Sequence, residues 1–585
     1  MKKSIQILSL IGILVFLTSQ LMAQDDRKIE IRKAMIELHE YGEVNFTVWL
    51  NEVNDINKLT SLFSIVELKG SELTGNANSK QFAEFIKMGI PFKVVGHTPM
   101  KHTPGYKKQS VTDWTTYPTR SEYDSLMKRF ENLYPTICSL DTIGFSIDGK
   151  SILVLKISDN VNQDEGEPNF FYTSSMHGDE IGGFVLMLRL ADLLLKDYGS
   201  DQRITGLVNN LQIFINPLAN PDGTYRSYDS VYIPVRRNSN GVDLNRNFPD
   251  PADGPHPDGN DYQPETIAMM DFLKKHPPTM SANFHSGAEV VNYPWDTWQT
   301  SNPGGPGYHS AHPDDNWFQM ISKEYADTAQ FYGPAGYFTN PASAGYILGG
   351  NWYMINGGRQ DYVTYFMGGR EVTIEIDNAI PTPESDLDDL WQYNYRSLLN
   401  YMEQALYGIR GMVKDTITNE PVKAKIEILN HDMDSSHIYS DSLKGDYYRL
   451  INNGTYQLKF SAPGYYDKIV NDVSVLNRQV TQLDIQLVPV NSSVEDVLPG
   501  SADFNYYPNP FHHYLTVSGT LNEQNHLELQ IFDILGKKQM IPYSSFHGEG
   551  EVKIELDLNR LHPGTYIIRS IVDNKIVNQR IIRKQ

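Results

Sequence analysis

The sequence predicts a multi-domain protein in which an α/β domain with a central mixed sheet follows a small α+β unit and precedes two all-β sandwich domains. Three observations carry that reading. The chain has 585 residues, too many for one ordinary core. From Val111 to about Tyr407 short apolar strand-like runs alternate with helix-like stretches, the pattern of an α/β domain. From Gly408 onward only short alternating strands and turn signals remain.

The N-terminus reads as a signal peptide spanning residues 1–23. Lys2-Lys3 form its charged start, Ile7 to Leu17 its apolar centre, and Leu21-Met22-Ala23 a cleavage site before Gln24. That run is short for a retained anchor, and nothing later approaches the ~20 apolar residues of a spanning helix, so no transmembrane anchor is expected. A net charge of −21 argues against nucleic acid or an anionic membrane as the main partner, and general solubility explains most of it. The lone Cys138 rules out an intrachain disulfide, so an exported chain must rely on cores and bound ions. Its apolar neighbours mark it as a buried structural residue.

Residues 24–110 form a separate α+β unit by pattern. Val44–Trp49, Ile65–Leu68 and Phe92–Val95 read as strands, and residues 52–63 and 80–88 as helices. The unit is either an inhibitory pro-segment released near Lys107-Lys108 or a structural addition. In residues 111–407, strands are expected at Ile152–Ile157, Asn169–Tyr172, Leu211–Ile215, Met280–Phe284 and Val372–Ile376. Open α/β sheets place their sites beyond the carboxyl ends of strands. His177, Asn220-Pro221-Asp222-Gly223 and His285 each follow such an end. Residues 408–489 read as one β-sandwich, 490–503 as a linker, and 504–585 as a second β-unit. Neither β-unit carries a catalytic-type polar cluster.

The chemistry gathers in the α/β domain. His177 and Glu180 lie three apart at a strand-to-helix corner, and a catalytic zinc takes such nitrogen and oxygen ligands while keeping one position open. His285 emerges from a buried strand and is the expected third ligand. Either histidine alone would be read as a satisfied core residue. Asp243-Leu244-Asn245-Arg246 adds a guanidinium fork and an amide donor suited to a carboxylate, with Asp243 positioned to orient a ligating imidazole, unless the cluster is only a polar turn. Glu375 sits among β-branched residues, where a carboxylate is costly unless it is used or faces solvent. Beside a bound water it would act as a general base. Asp250, Asp253, Asp258 and Asp261 crowd a Pro/Gly-rich loop, making calcium a second candidate ion. A solvated acidic loop explains them equally.

These pieces resemble the zinc metallocarboxypeptidases, most of all the carboxypeptidase N/E branch. The resemblance rests on His177-x-x-Glu180, Val235-Arg236-Arg237-Asn238, Asp243 to Pro249, His285, Asn292-Tyr293-Pro294-Trp295-Asp296, Trp352-Tyr353, Gly357 to Asp361, and Thr373-Ile374-Glu375-Ile376, all in family order. It implies that His177, Glu180 and His285 hold one zinc and that Glu375 moves the proton. It implies that Arg236 stabilises the oxyanion, with adjacent Arg237 as the other register. Asn245, Arg246 and Tyr353 would then hold the terminal carboxylate of a peptide or protein substrate, while Asp296 and Gln360 would line a pocket for C-terminal Lys or Arg. Arg359 departs from the branch, which commonly has an apolar residue there: pointing into the pocket it would weaken a basic preference, pointing outward it would be neutral. The unit after the catalytic domain resembles a transthyretin-like module. The last unit, through Tyr507-Pro508-Asn509-Pro510-Phe511, Asp533 to Lys537 and Pro563-Gly564-Thr565-Tyr566, resembles a type IX secretion sorting domain, which implies the secretion machinery as partner and the exterior or surface of a Gram-negative cell as destination. A cell-wall peptide amidase of the same fold, or a catalytically decayed binding protein, are the competing readings.

Overall fold

Eight strands of the α/β domain assemble into one mixed sheet, and the computed structural model of the chain shows why their sequences read as near-continuous apolar runs. The structure describes residues 26–50, 56–97, 99–100, 114–301, 303–305, 307–339, 344–490, 504–521, 525–533, 537–572 and 575–584. The expected signal peptide, the Lys107-Lys108 cleavage site and most of the 490–503 linker lie outside these residues, as does the middle of the Asp533 to Lys537 motif.

The N-terminal unit opens with a helix over 26–41 that pattern reading missed. Four antiparallel strands follow: β1 (Glu43–Trp49), β2 (Ser64–Lys69), β3 (Glu72–Asn78) and β4 (Lys93–Val95), in the order β2-β3-β1-β4. The helix expected over 52–63 is confined to Ile56–Thr60 in the described residues. A second helix, Ser79–Lys87, starts with a reciprocal capping box between Asn78 and Gln81. Phe46, Phe63, Phe82 and Phe85 fill the unit's core.

The central sheet contains β5 (Cys138–Phe145), β6 (Ser151–Ile157), β7 (Asn169–Ser174), β8 (Gln212–Asn216), β9 (Met280–His285), β10 (Ala288–Tyr293), β11 (Tyr346–Leu348) and β12 (Arg370–Asp377). Their order is β11-β10-β12-β9-β7-β8-β6-β5, with β8, β7, β9 and β12 parallel to one another. One face packs Phe170, Tyr172, Ala282, Phe284, Ile374 and Ile376 against helices Gly182–Asp197, Asp315–Tyr332 and Leu387–Gln404. The other packs Phe171 and Phe214 against Met269, Phe272 and Leu273 of helix Pro264–Lys275. Burial on both faces removes the usual apolar/polar alternation.

One part of that second face is polar. Period-2 geometry puts Ser281, Asn283 and His285 of β9 beside Glu371, Thr373 and Glu375 of β12 in parallel register. Ser281 Oγ and Asn283 Nδ2 donate to Glu371 at 2.6 and 2.9 Å. The ladder ends at His285 and Glu375, at the carboxyl ends of the parallel strands.

Residues 408–487 form two four-stranded sheets whose inner faces bury Ile409, Val413, Ile426, Leu458 and Phe460. This module is tied to the catalytic domain by a buried charge cluster: Asp314 accepts from Arg370 Nε at 3.0 Å, from Arg449 Nη1 and Nη2 at 2.8 and 2.9 Å, and approaches His431 Nε2 at 2.8 Å. The chain divides into two compact units, the second comprising Pro463–Tyr466 and Val488–Gln585. In it a three-stranded and a four-stranded sheet share a core of Leu515, Val517, Leu529, Ile554 and Ile568. No helix among the described residues is long and apolar enough to cross a membrane.

Candidate active site

Strand β7 ends at Ser174, and the chain turns through His177-Gly178-Asp179-Glu180 before helix Gly182–Asp197 begins. Gly178 is required at this corner, because a Cβ there would lie 2.5 Å from Gly223 Cα. The turn aims His177 Nδ1 at Glu180 Oε1, 2.8 Å away. His285, from the end of β9, brings its Nδ1 to 2.7 Å from Glu180 Oε2 and 3.0 Å from His177 Nδ1. All three residues are buried.

Two imidazole nitrogens and the oxygens of one carboxylate therefore lie close enough together to hold one ion. The donor set and its closeness fit zinc, and the outer nitrogen of His177 is held by Asp243 Oδ1 at 3.0 Å, as an oriented ligand requires. Two further acidic groups among the described residues have similar closeness, Asp314/His431/Asp432 and Asp159/Glu165/Glu167. The first is already neutralised by Arg370 and Arg449.

Arg236 enters the site and Arg237 does not. Arg236 donates from Nε to Asp243 Oδ2 at 3.0 Å and from Nη1 to Glu180 Oε1 at 2.9 Å. The Arg237 guanidinium turns into the N-terminal unit, donating to Asn76 Oδ1 at 2.9 Å and Gln81 Oε1 at 2.8 Å. Burial opposes the charge on Asp243, but Arg236 and His177 hold its carboxyl well below the usual carboxylate range.

Glu375 faces the cleft from β12 with its Oε2 buried and without a hydrogen-bond partner. Burial pushes its carboxyl well above the usual range, Glu180 adds to this, and Arg236 opposes it. The alternative of a solvent-facing edge glutamate is excluded by the central place of β12 between β10 and β9.

Asn245, Arg246, Tyr353 and Asp296 line the same cleft. Asp296 is buried with Oδ1 unpartnered, Asn292 Oδ1 beside it is also unpartnered, and both neighbour Gly349, where a Cβ would be only 1.8 Å from Asp296 Oδ1. Burial raises the Asp296 carboxyl to about 7, with Asn292 and Arg246 pulling it down. Gln360 is buried next to Asp296, behind the cleft wall. Arg359 turns away from the cleft: it is fully buried, donates from Nη2 to Glu371 Oε2 at 2.7 Å, and lies 5.0 Å over the Phe171 ring.

The calcium expectation is not supported. Asp250 spends both oxygens on the N–H groups of Ala252, Asp253 and Gly357 and the Thr297 hydroxyl, while Asp258 accepts from Asn247 and Asn260. These carboxylates shape the loop instead of converging. Sequence reading also missed Ser64, whose Oγ donates to Asp243 Oδ2 at 2.5 Å, and Asp361, which receives the N–H groups of Asp296 and Thr297. A serine in a strand-like run carries no chemical signal of its own. Asp361 stood inside a motif, but its partner was visible only in space.

A mixed sheet with a His/Glu/His cluster at the carboxyl ends of its parallel strands defines an α/β domain with a candidate metal site. The comparisons make it specific. Residues 123–397 match the zinc carboxypeptidase family, 408–488 a carboxypeptidase regulatory-like domain, and 505–584 a secretion system C-terminal sorting domain. The chain is 34% identical over 409 residues to the carboxypeptidase N catalytic chain of Mus musculus, covering 64% of this chain and 87% of that one. It is 36% identical over 380 residues to carboxypeptidase D of Homo sapiens, covering 63% of this chain but only 26% of that longer protein. Carboxypeptidase A from Helicoverpa armigera is a structural neighbour at TM-score 0.48 and 18% identity, over 62% of this chain and 96% of that one. The chain belongs to the zinc carboxypeptidase family.

Proposed function

We propose that this chain is an exported zinc exopeptidase that removes the last residue of peptides and proteins, preferring Lys or Arg. The observation that carries the reading is the closeness of His177, Glu180 and His285 in a cleft that also holds Glu375, Arg246 and the buried carboxyl of Asp296.

Zinc held by His177, Glu180 and His285 would supply Lewis-acid activation of water and of the scissile carbonyl. The remaining work falls to the chain. Glu375, its carboxyl already disposed to hold a proton, takes one from the attacking water and passes it to the leaving amine. Arg236 supplies positive charge for the developing oxyanion. Asn245, Arg246 and Tyr353 hold the terminal carboxylate, so only a free C-terminus fits. Asp296 receives the substrate's basic side chain, its neighbour Gln360 bordering the pocket. Arg359, committed to Glu371, leaves that preference unopposed. The sorting-domain match supports secretion or attachment at the cell surface through the dedicated export machinery.

The test is steady-state kinetics on matched blocked dipeptides ending in Arg, Lys, Leu or Glu, with and without a chelator, before and after limited proteolysis. Chelator-sensitive release of Arg and Lys is expected. Preference for Leu would overturn the role of Asp296, and turnover insensitive to chelation would overturn the mechanism.

A further inference from the structure

Asp296, the residue assigned to the substrate's basic side chain, stands on a loop that no strand ladder supports. β10 ends at Tyr293, and Pro294 to Thr297 follow outside any strand or helix. The residues of this loop are buried, so its N–H groups need acceptors from elsewhere in the chain. Asp361 supplies them. Its Oδ2 accepts the N–H groups of Asp296 and Thr297 at 3.0 and 2.9 Å, and its Oδ1 lies 3.1 Å from the Asp296 nitrogen. A second carboxylate, Asp250, takes the Thr297 hydroxyl on Oδ1 at 3.0 Å and the Gly357 N–H on Oδ2 at 2.9 Å.

Asp361 is itself held. It closes a short buried helical turn, Arg359–Asp361, whose first residue is fixed at two points. Arg359 N–H donates to Asn245 Oδ1 at 3.0 Å, and Arg359 Nη2 donates to Glu371 Oε2 at 2.7 Å. Glu371 lies on β12 and also accepts from Ser281 and Asn283 of β9. Buried contacts thus run from the central sheet through Glu371, Arg359 and Asp361 to Asp296, and touch Asn245 on the way. The departure at Arg359 gives this turn an ion-pair anchor that an apolar side chain would lack. Asp361 makes no ion pair among the described residues. Burial pushes its carboxyl well above the usual range, Asp296 adds to this, and the N–H groups of Thr297 and Asp296 oppose it. A buried carboxyl without a cation costs stability, and such groups gather where a site needs them.

We propose that Asp361 is a positioning residue of the pocket for the basic side chain: it fixes the backbone of Asp296 and Thr297 so that the Asp296 carboxyl lines the cleft. Asp361 does not line the cleft and acts through Asp296. The proposal deepens the exopeptidase reading and rests on it for the identity of the pocket. The fastening of the loop rests on the hydrogen bonds alone.

Two readouts on the zinc-loaded full chain test it, before and after limited proteolysis. The first is the split between KM and kcat for a blocked dipeptide ending in Arg. Asp361→Ala removes both acceptors, and KM should rise about 10- to 100-fold while kcat falls by less than about threefold. Asp361→Asn offers one uncharged oxygen in the place of Oδ2, which alone reaches both N–H groups, and should restore KM to within about threefold of wild type. Asp361→Ser, with one short hydroxyl, should fall between the two. The second readout is hydrogen–deuterium exchange of the peptide containing Asp296 and Thr297, slow in the wild type and Asp361→Asn and fast in Asp361→Ala. A fall in kcat with KM unchanged would mark a merely structural residue and overturn the proposal, as would exchange in Asp361→Ala no faster than in the wild type. Unchanged KM in Asp296→Asn, with fast exchange in Asp361→Ala, would sink the basic-pocket reading and leave the fastening of the loop standing.

Discussion

In the proposed mechanism Glu375 and Asp296 carry chemistry and selectivity separately. Glu375→Gln keeps the shape and removes the proton acceptor, so kcat should fall by about 10²- to 10⁴-fold with KM nearly unchanged in steady-state assays. Asp296 titrates at about 7 because burial disfavours its charge. Below that pH the carboxyl is neutral and loses its attraction for a guanidinium. KM for an Arg-ending dipeptide should therefore rise as pH falls from 8 to 6, and Asp296→Asn should raise KM and flatten the profile. Arg359 tests a different effect. Arg359→Met leaves Glu371 buried without its cation and should cost roughly 3–5 kcal/mol in denaturant unfolding. Adding Glu371→Gln should recover most of that loss.

Among the elements, the parallel strands were legible from sequence because burial on both faces writes them as apolar runs bounded by turns. The candidate ligands His177 and His285 stood out as polar residues just after such runs, and Glu375 as a carboxylate within one. β10 and β3 were not. Ala288-Glu289-Val290 and Gly75-Asn76 dilute the period with charged, small or amide residues whose partners lie on other elements. The helix over 26–41, next to the expected signal peptide, was not legible either. The choice between Arg236 and Arg237 depended on Asn76 and Gln81, more than 150 residues earlier in the chain. The Asp314 cluster was equally hidden, since Arg370, Arg449 and His431 meet only after the β-module docks. Burial opposes Asp314's charge, but Arg449 and Arg370 hold its carboxyl well below the usual carboxylate range. A depressed folded-state pKa stabilises above the unfolded value of about 3.9 and is lost only as pH falls through the folded one. The Asp314 carboxylate should thus stay charged between pH 7 and 5, and its own contribution to the module's attachment should be constant over that window. Asp314→Asn, which removes the carboxylate shared by two buried guanidinium groups and leaves Arg449 only Asp432, should cost about 3–5 kcal/mol in thermal or denaturant unfolding.

At the scale of the whole molecule, the cleft and the residues that match a sorting domain lie in different compact units. Residues 504–585 have their own two-sheet core and share none of the residues of the cleft. Deleting them should leave the melting temperature of the larger unit and the dipeptide kinetics of the trimmed protein unchanged, while the protein no longer reaches the medium or the cell surface. Immunoblotting of fractions and scanning calorimetry on the same preparations would check both halves. A lowered melting temperature in the larger unit would contradict the separation.

The strand order also carries a schedule. β12 is the last strand of the central sheet in sequence, yet it lies between β9 and β10, which precede it by some 80 residues. A growing or refolding chain can therefore bring His177, Glu180 and His285 together while the gap beside β9 is still unfilled. Glu375 joins them only when residues 370–377 insert and set it opposite His285. The candidate metal cluster is thus complete in sequence some 90 residues before Glu375. A chain that ended before residue 370 would carry the candidate metal cluster without the carboxylate of Glu375 beside it.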